Sequence, residues 1–533
     1  MPCRSSLDCE QGQHCFGGTC RGPCSSDQQC APGERCVGNY CLAATDAARP
    51  DAVEPEGGGR DGAAEDAAAA RCGDGIVNTG TGEQCDDSGE SPVCHANCRI
   101  KVTALDNSGS HTCALRGDSV IKCFGNNSSG ELGVGHRASQ GDEPDEMGAM
   151  LVRVGRDSAG DANLTAQHVS VGSTHSCAIL QSDQVLCWGD NVYGKLGLGD
   201  SIDRGDDPGE LVGWTVSLGS SLTATQIACG ATHTCALLVS RQDRLVKCWG
   251  NNDFGKLGLG ISGSASHVGD GPDEMGDLLP AVDLGPGDVV AVASGGNNTC
   301  AVLYDQSVHR LKCWGENGSG QLGIGDALSR GDDPGEMGTA LPNVNLGTSG
   351  EVAAVDVGVG HVCALLADQH VKCWGENGSG ELGLGDKGDR GDQQGEMGNN
   401  LPRVALGTGA LVSKVTAGSN HTCALLTTGL VKCWGNNSYG QLGLGVSGAT
   451  SHRGDDAGEM GSSLPAVDLG TGRSAVDVWA GVHDTCAQLD DGSIKCWGLN
   501  SYGRLGLGDT SDRGGAPGEM GDALPAVDIG AEP

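Results

Sequence analysis

Fourteen of the 27 cysteines come in matched pairs. Cys113, Cys177, Cys235, Cys300, Cys363, Cys423 and Cys486 are each followed, ten or thirteen residues on, by Cys123, Cys187, Cys248, Cys313, Cys373, Cys433 and Cys496. The chemistry such pairs can do is oxidation to a cross-strand disulfide. Facing positions of an antiparallel hairpin sum to a constant. If Cys423 faces Cys433, then Ala424 faces Lys432 and Leu426 faces Leu430. Thr427-Thr428-Gly429 is left as a three-residue turn with glycine at its left-handed position. Facing Cα atoms at about 4.5 Å lie within reach of a disulfide. The predicted bridges are Cys113–Cys123, Cys177–Cys187, Cys235–Cys248, Cys300–Cys313, Cys363–Cys373, Cys423–Cys433 and Cys486–Cys496. Closing such a loop is worth about 2.7 kcal/mol on the chain-entropy model. The alternative is fourteen buried free thiols, always in matched pairs. Cys229 has no counterpart and reads as small core filler.

Other residue types recur with the same period. A histidine stands two residues before the first cysteine of five pairs: His111, His175, His233, His361 and His421, with Asn298 and Asp484 in the other two. A metal ring would need these to converge from separate units, so a structural role is expected. Long acidic loops follow, four of them containing Arg-Gly-Asp at Arg204, Arg330, Arg390 and Arg453. Gln140 and Val268 replace the arginine elsewhere, which makes the tripeptide an incidental part of the repeat. Asp206, Asp332, Asp392 and Asp455 are hard oxygen ligands and weak candidates for calcium. No copy has the EF-hand frame. Six loops end in E-M-G-x-x-L, followed by proline in all but the first, with Met147, Met275, Met337, Met397, Met460 and Met520 expected to pack the loop down. No nucleophile–base set, phosphate loop or catalytic carboxylate pair stands out.

The second cysteine of each pair sits in C-[WF]-G-x-N-x-x-G-x-L-G, and successive copies are 60 to 65 residues apart. That period suits a propeller blade with one long loop, and seven copies predict seven blades. Each unit offers four strand-like pieces, for example around Val415, Cys423, Leu430 and Leu464–Gly470. A Leu-Pro-x-Val segment precedes units four to seven, and none precedes the first. This predicts that Leu524–Ile529 closes the ring on blade one, covering an open edge. The string A-G-x-x-H-T-C-A-L…V-K-C-W-G-x-N-x-x-G-Q-L-G-x-G, over residues 101–530, resembles the regulator of chromosome condensation repeat family. The resemblance implies an all-β, seven-bladed β-propeller. The founder's nucleotide exchange and chromatin binding are not expected here, because the insertions used for them have no match.

Four regions follow from composition. Residues 1–42 hold two identical C-x5-C-x5-C-x4-C frames that resemble small Dickkopf-type cysteine-rich modules. Residues 43–71 are an Ala/Gly/Pro/acidic stretch, expected to be a flexible linker. Residues 72–100 carry C-G-D-G…G-E-Q-C-D-D…C…C, which resembles the myxobacterial disulfide repeat of secreted and surface proteins. Asp74, Asp86 and Asp87 there are further weak calcium candidates. Residues 101–533 are the propeller.

The net charge is −36, which opposes nucleic acid and anionic lipid. Cysteine usage points to an extracellular or cell-envelope location, although no secretory leader opens the chain. No apolar run spans a membrane. The reading is a monomeric, non-catalytic scaffold for a protein partner. One alternative is a secreted inhibitor of an extracellular enzyme, as in the propeller-type β-lactamase inhibitor of this fold. It would need clustered exposed aromatics such as Tyr193, Phe254, Tyr439 and Tyr502. Another alternative is a carbohydrate-active or other enzyme working in the propeller shaft.

Overall fold

A computed structural model describes residues 14–16, 19–21, 34–37, 40–43, 91, 94 and 99–530, apart from 242, 264, 265, 306, 307 and 349. The linker, the carboxylates of Asp74, Asp86 and Asp87, and most of both cysteine modules lie outside these residues. The first 43 residues contribute two hairpins, His14–Phe16 with Thr19–Arg21 and Glu34–Val37 with Tyr40–Ala43. Their registers set Cys15 opposite Cys20 and Cys36 opposite Cys41, so the same cysteine pair faces in each hairpin.

From residue 102 the described chain forms seven three-stranded antiparallel sheets, each in sequence order, arranged as a seven-bladed propeller. Blade six shows the pattern, with strands Val412–Ala417, His421–Leu426 and Val431–Gly435. β-Branched residues and short alternation favour strand here, and a Gly-bearing turn joins the second strand to the third. The register pairs Cys423 with Cys433 and Ala424 with Lys432. All seven pairs, from Cys113–Cys123 to Cys486–Cys496, are disulfides, with Cα atoms 4.1 Å apart.

The expected fourth strand is not a strand. It is split around the long loop and touches the third strand only at its two ends. Gly435 exchanges backbone hydrogen bonds with Arg453, and Val467 N donates to Val431 O at 2.8 Å. The same two contacts recur in the other blades, for example Gly315 with Arg330 and Val344 N with Leu311 O. A loop inserted in the middle of the edge prevents a continuous ladder.

These contacts also correct the closure expected of Leu524–Ile529. Each Leu-Pro-x-Val segment bonds to its own blade, and Val527 N donates to Ile494 O of blade seven. No strand crosses from blade seven to blade one. The seam closes as five of the other six do. Gly148 N donates to Asp528 O at 2.8 Å, as Gly338 N does to Asp283 O and Gly398 N to Asn345 O. Arg116 adds a guanidinium hydrogen bond to Gly530 O at 2.7 Å.

The apolar core sits in the seams. Trp434 of blade six is buried among Cys363, Cys373 and Leu382 of blade five, and Trp188 among Cys113, Cys123 and Leu132 of blade one. With only 3% aromatic residues, one tryptophan or phenylalanine per seam carries much of the apolar burial.

Candidate protein-binding face

Each long loop is tied by one buried asparagine of the W-G-x-N motif. Asn437 Oδ1 accepts the backbone N–H of Leu442, and its Nδ2 donates to Val446 O at 2.7 Å. Asn127, Asn191, Asn252, Asn317, Asn377 and Asn500 do the same in their own loops. The loop is then latched to the next blade. The carbonyl of Glu381 accepts both Trp434 Nε1–H (2.8 Å) and Thr422 Oγ–H (2.9 Å). The carbonyls of Glu131, Lys195 and Gln441 each receive the same pair of donors. Gly383 lies between Trp434 and Met460 at φ +66, where any β-carbon would clash. Met147, Met275, Met337, Met397, Met460 and Met520 pack into the seams beside these rings.

The histidines belong to this latch. Nε2 of His175, His233, His361 and His421 meets Thr234, Thr299, Thr422 and Thr485 of the following blade at 2.8–2.9 Å, and His111 meets Ser176. Burial drives their pKa values down, to about 3 for His111 and His421 and about 4 for His361, so these three imidazoles are neutral. They stay on separate blades and do not converge.

A lysine that sequence reading passed over clamps the same seams. Lys432 Nζ donates to Leu406 O of the preceding unit and Gly461 O of its own. Lys247, Lys312, Lys372 and Lys495 repeat this arrangement. The signal was present in the sequence as K-C-[WF], with Leu186 replacing the lysine in blade two.

The Arg-Gly-Asp arginines turn back onto their own loops. Arg204, Arg330 and Arg390 pair with Asp200, Asp326 and Asp386 at 2.6–2.7 Å, and Arg453 Nη1 donates to His452 O. Among the calcium candidates, Asp206 pairs with Arg137 and Asp455 with Lys387. Asp332 and Asp392 lie in turns whose N–H groups are gathered by Glu336 and Glu396. Among the described residues the one group of three ligand-type side chains is His175, Cys177 and Cys229, and the Cys177 sulfur is already bonded to Cys187. Burial pushes the Cys229 thiol up to about 12.

The shaft is a cavity of about 490 Å³ whose lining does not follow the repeat. Asp106, Gln226, Asp356, Lys414 and Trp479 line it. Their polar groups bond mostly to the next blade: Asp106 to Val171 N, Gln226 to Val292, Asp356 to Ala417 N and Lys414 to Asp477. Lys414 also lies 4.6 Å over the Trp479 ring.

On the face where the long loops leave the third strands, the residue two before the latching carbonyl is exposed. It is Tyr193, Phe254, Tyr439 or Tyr502 in four blades, at 39–52% exposure. Its conformation depends on the latching residue. A Glu or Gln there turns its side-chain oxygen back to accept the slot N–H: Glu131 from Ser129, Gln321 from Ser319, Glu381 from Ser379 and Gln441 from Tyr439, at 2.7–2.9 Å. Lys195, Lys256 and Arg504 cannot accept. In those three blades the slot flips to the left-handed region, with Tyr193, Phe254 and Tyr502 at φ 71°, 62° and 62°. Bulky side chains are held there at a cost of about 1–3 kcal/mol each.

Comparison with known proteins places this architecture. Residues 166–195, 224–256, 289–321, 352–381 and 412–441 match a family model described as regulator of chromosome condensation (RCC1) repeat. A second model of that description matches 182–237 and 370–425. Over 351 residues the chain is 30% identical to the ultraviolet-B receptor UVR8 of Arabidopsis thaliana, spanning 65% of this chain and 68% of that protein. It is 29% identical over 333 residues to the E3 ubiquitin-protein ligase HERC2 of Homo sapiens. That match covers 62% of this chain but only 6% of that protein's length. Among solved structures, Prp20p from Saccharomyces cerevisiae superposes with a TM-score of 0.51 at 19% identity, over 75% of this chain and 88% of that one. Human WBSCR16 gives 0.50 at 19%, over 72% and 85%. At that identity the likeness is one of fold.

Proposed function

The chain belongs to the regulator of chromosome condensation (RCC1) repeat family, and on that premise we propose a non-catalytic scaffold, extracellular or in the cell envelope, that holds a protein partner on its loop face. The observation that carries this reading is the set of exposed aromatics, Tyr193, Phe254, Tyr439 and Tyr502, mounted on loops that are tied and latched. Rigid aromatic anchors lose little entropy on binding and dominate interface energy. Seven disulfides suit an oxidising compartment. The N-terminal cysteine frames, which resemble Dickkopf-type and myxobacterial modules, would then act as spacers that display the disc. Exchange and ligase activities are not carried over, because HERC2 is matched over a small fraction of its length and the net charge of −36 opposes chromatin.

A sharper version is a protein inhibitor of an extracellular enzyme. That reading requires clustered exposed aromatics, and exposure of the aromatic slot supports it. The test uses the full chain and a variant with alanine at Tyr193, Phe254, Tyr439 and Tyr502 as baits on the native envelope fraction. A stoichiometric partner should be kept by the wild type and by a control altered on the opposite face, Leu430→Ala, and lost by the fourfold variant. Equal recovery by all three baits, or no retained protein, overturns the reading. If the partner is an enzyme whose activity falls on binding, the inhibitor version stands.

A further inference from the structure

Besides Leu186, blade two departs from the repeat at the end of its long loop. After Gly209-Glu210 its chain reads L-V-G-W-T-V-S-L-G, without the E-M-G-x-x-L-P of the five later blades or the E-M-G-x-x-L-V of blade one. The third-strand contact is kept, since Val216 N donates to Val185 O. Counting back from that contact, Trp214 stands where Pro280, Pro342, Pro402, Pro465 and Pro525 stand in later blades. Leu211 fills the seam that methionine fills elsewhere, beside Gly133 and Trp188. The result is a tryptophan left on the outer edge of the disc, 46% exposed.

This indole is held rather than loose. The Arg204 guanidinium lies 4.7 Å from its ring centre. Arg204 is itself buried and fixed by Asp200 and by the carbonyls of Ile202 and Asp203. A cleft of about 420 Å³ opens beside the ring, between blades two and three. Leu198, Pro272 and Met275 form its apolar lining, and Thr215 and Asp273 supply polar groups. That volume falls within the range of small-molecule sites, about 300–1,000 Å³.

We propose that this cleft is a binding site for a neutral, pyranose-based oligosaccharide, with Trp214 as the stacking platform. A pyranose ring has one C–H-rich face, which packs on an indole, and a rim of hydroxyls, which donate to carboxylate and hydroxyl oxygens. The cleft offers both kinds of surface side by side. A neutral sugar is selected over an acidic one, because Asp273 faces the cleft and the whole chain carries −36. None of the four loop-face aromatics lines the cleft, so the site stands or falls independently of the protein-binding reading.

Tryptophan fluorescence can test this directly. Six of the eight tryptophans are fully buried and Trp479 lines the shaft, so a sugar-induced change reports mainly on Trp214. The intact chain is titrated with cello-, chito-, malto-, xylo- and mannohexaose, and with oligogalacturonate as the acidic control. At least one neutral hexasaccharide should give a saturable change with a Kd of about 1 mM or tighter. Calorimetric affinity should fall about tenfold or more in Trp214→Ala and stay within about threefold in Trp214→Phe. Trp214 is exposed, so both variants fold. No saturation with any neutral sugar, equal binding by Trp214→Ala, or tighter binding of oligogalacturonate overturns the proposal.

Discussion

Blades six and two are built from the same repeat and end differently at their outer edges. Blade six has Lys432 bonded to two carbonyls, Met460 in the seam and Leu464-Pro465 covering the edge. Blade two has Leu186, Leu211 and an exposed Trp214 at the corresponding places. Both keep the disulfide, the asparagine tie and the seam tryptophan. The common set holds the fold. Blade six adds the lysine, methionine and proline to that set, and the proline position, exposed in both blades, carries an indole in blade two.

The sharpest break in that comparison comes from its two tryptophans. Trp434→Ala removes a wholly buried ring and a seam hydrogen bond, and should cost about 3–5 kcal/mol in urea unfolding of the oxidised protein. Trp214→Ala should stay within about 0.5 kcal/mol of wild type. Near-equal losses would show that the two rings do the same job.

Next in size is Lys432→Leu, which imports the blade-two residue into blade six. Two buried carbonyls, of Leu406 and Gly461, lose their shared donor. The expected cost is about 2–4 kcal/mol, read as a lower denaturation midpoint with an unchanged slope. A neutral outcome would mean that the edge relaxes around leucine in blade six as it does in blade two.

Glu381 tests the latching position, where blade six has Gln441. Burial holds the Glu381 carboxyl up at about 7, above its ordinary 4.5. Below pH 4.5 both folded and unfolded chains carry the proton. Between 4.5 and about 7 the unfolded chain ionises first, so stability falls as pH rises, and above about 7 the penalty is complete. Glu381→Gln keeps an oxygen for the Ser379 N–H and removes the penalty. It should raise stability by up to about 3 kcal/mol above pH 7, and by nothing below pH 4.5. A gain independent of pH would contradict the assignment.

The smallest effect is expected in the slot itself. Tyr502→Gly relieves a left-handed tyrosine and should stabilise blade seven by about 0.5 kcal/mol, while weakening partner capture. The same change at Tyr439, whose N–H is capped by Gln441, should cost about as much as Tyr502→Gly gains.

By itself the sequence determined the blade number, the hairpin register and the seam composition. These are local: Cys423 and Cys433 are ten residues apart, and their register follows from one short turn. It also carried the clamp as K-C-W and the slot conformation as Glu/Gln against Lys/Arg, signals readable once their partners are known. Tertiary structure alone decided the rest. Whether Leu524–Ile529 belongs to blade seven or blade one depends on which neighbour offers a free edge, and Ile494 does so within its own blade. Which face of Trp214 meets solvent depends on Arg204 and on Pro272 of the next blade. Contacts between units some 60 residues apart leave no trace in local pattern, because a repeat specifies each unit identically while its neighbours decide what stays exposed.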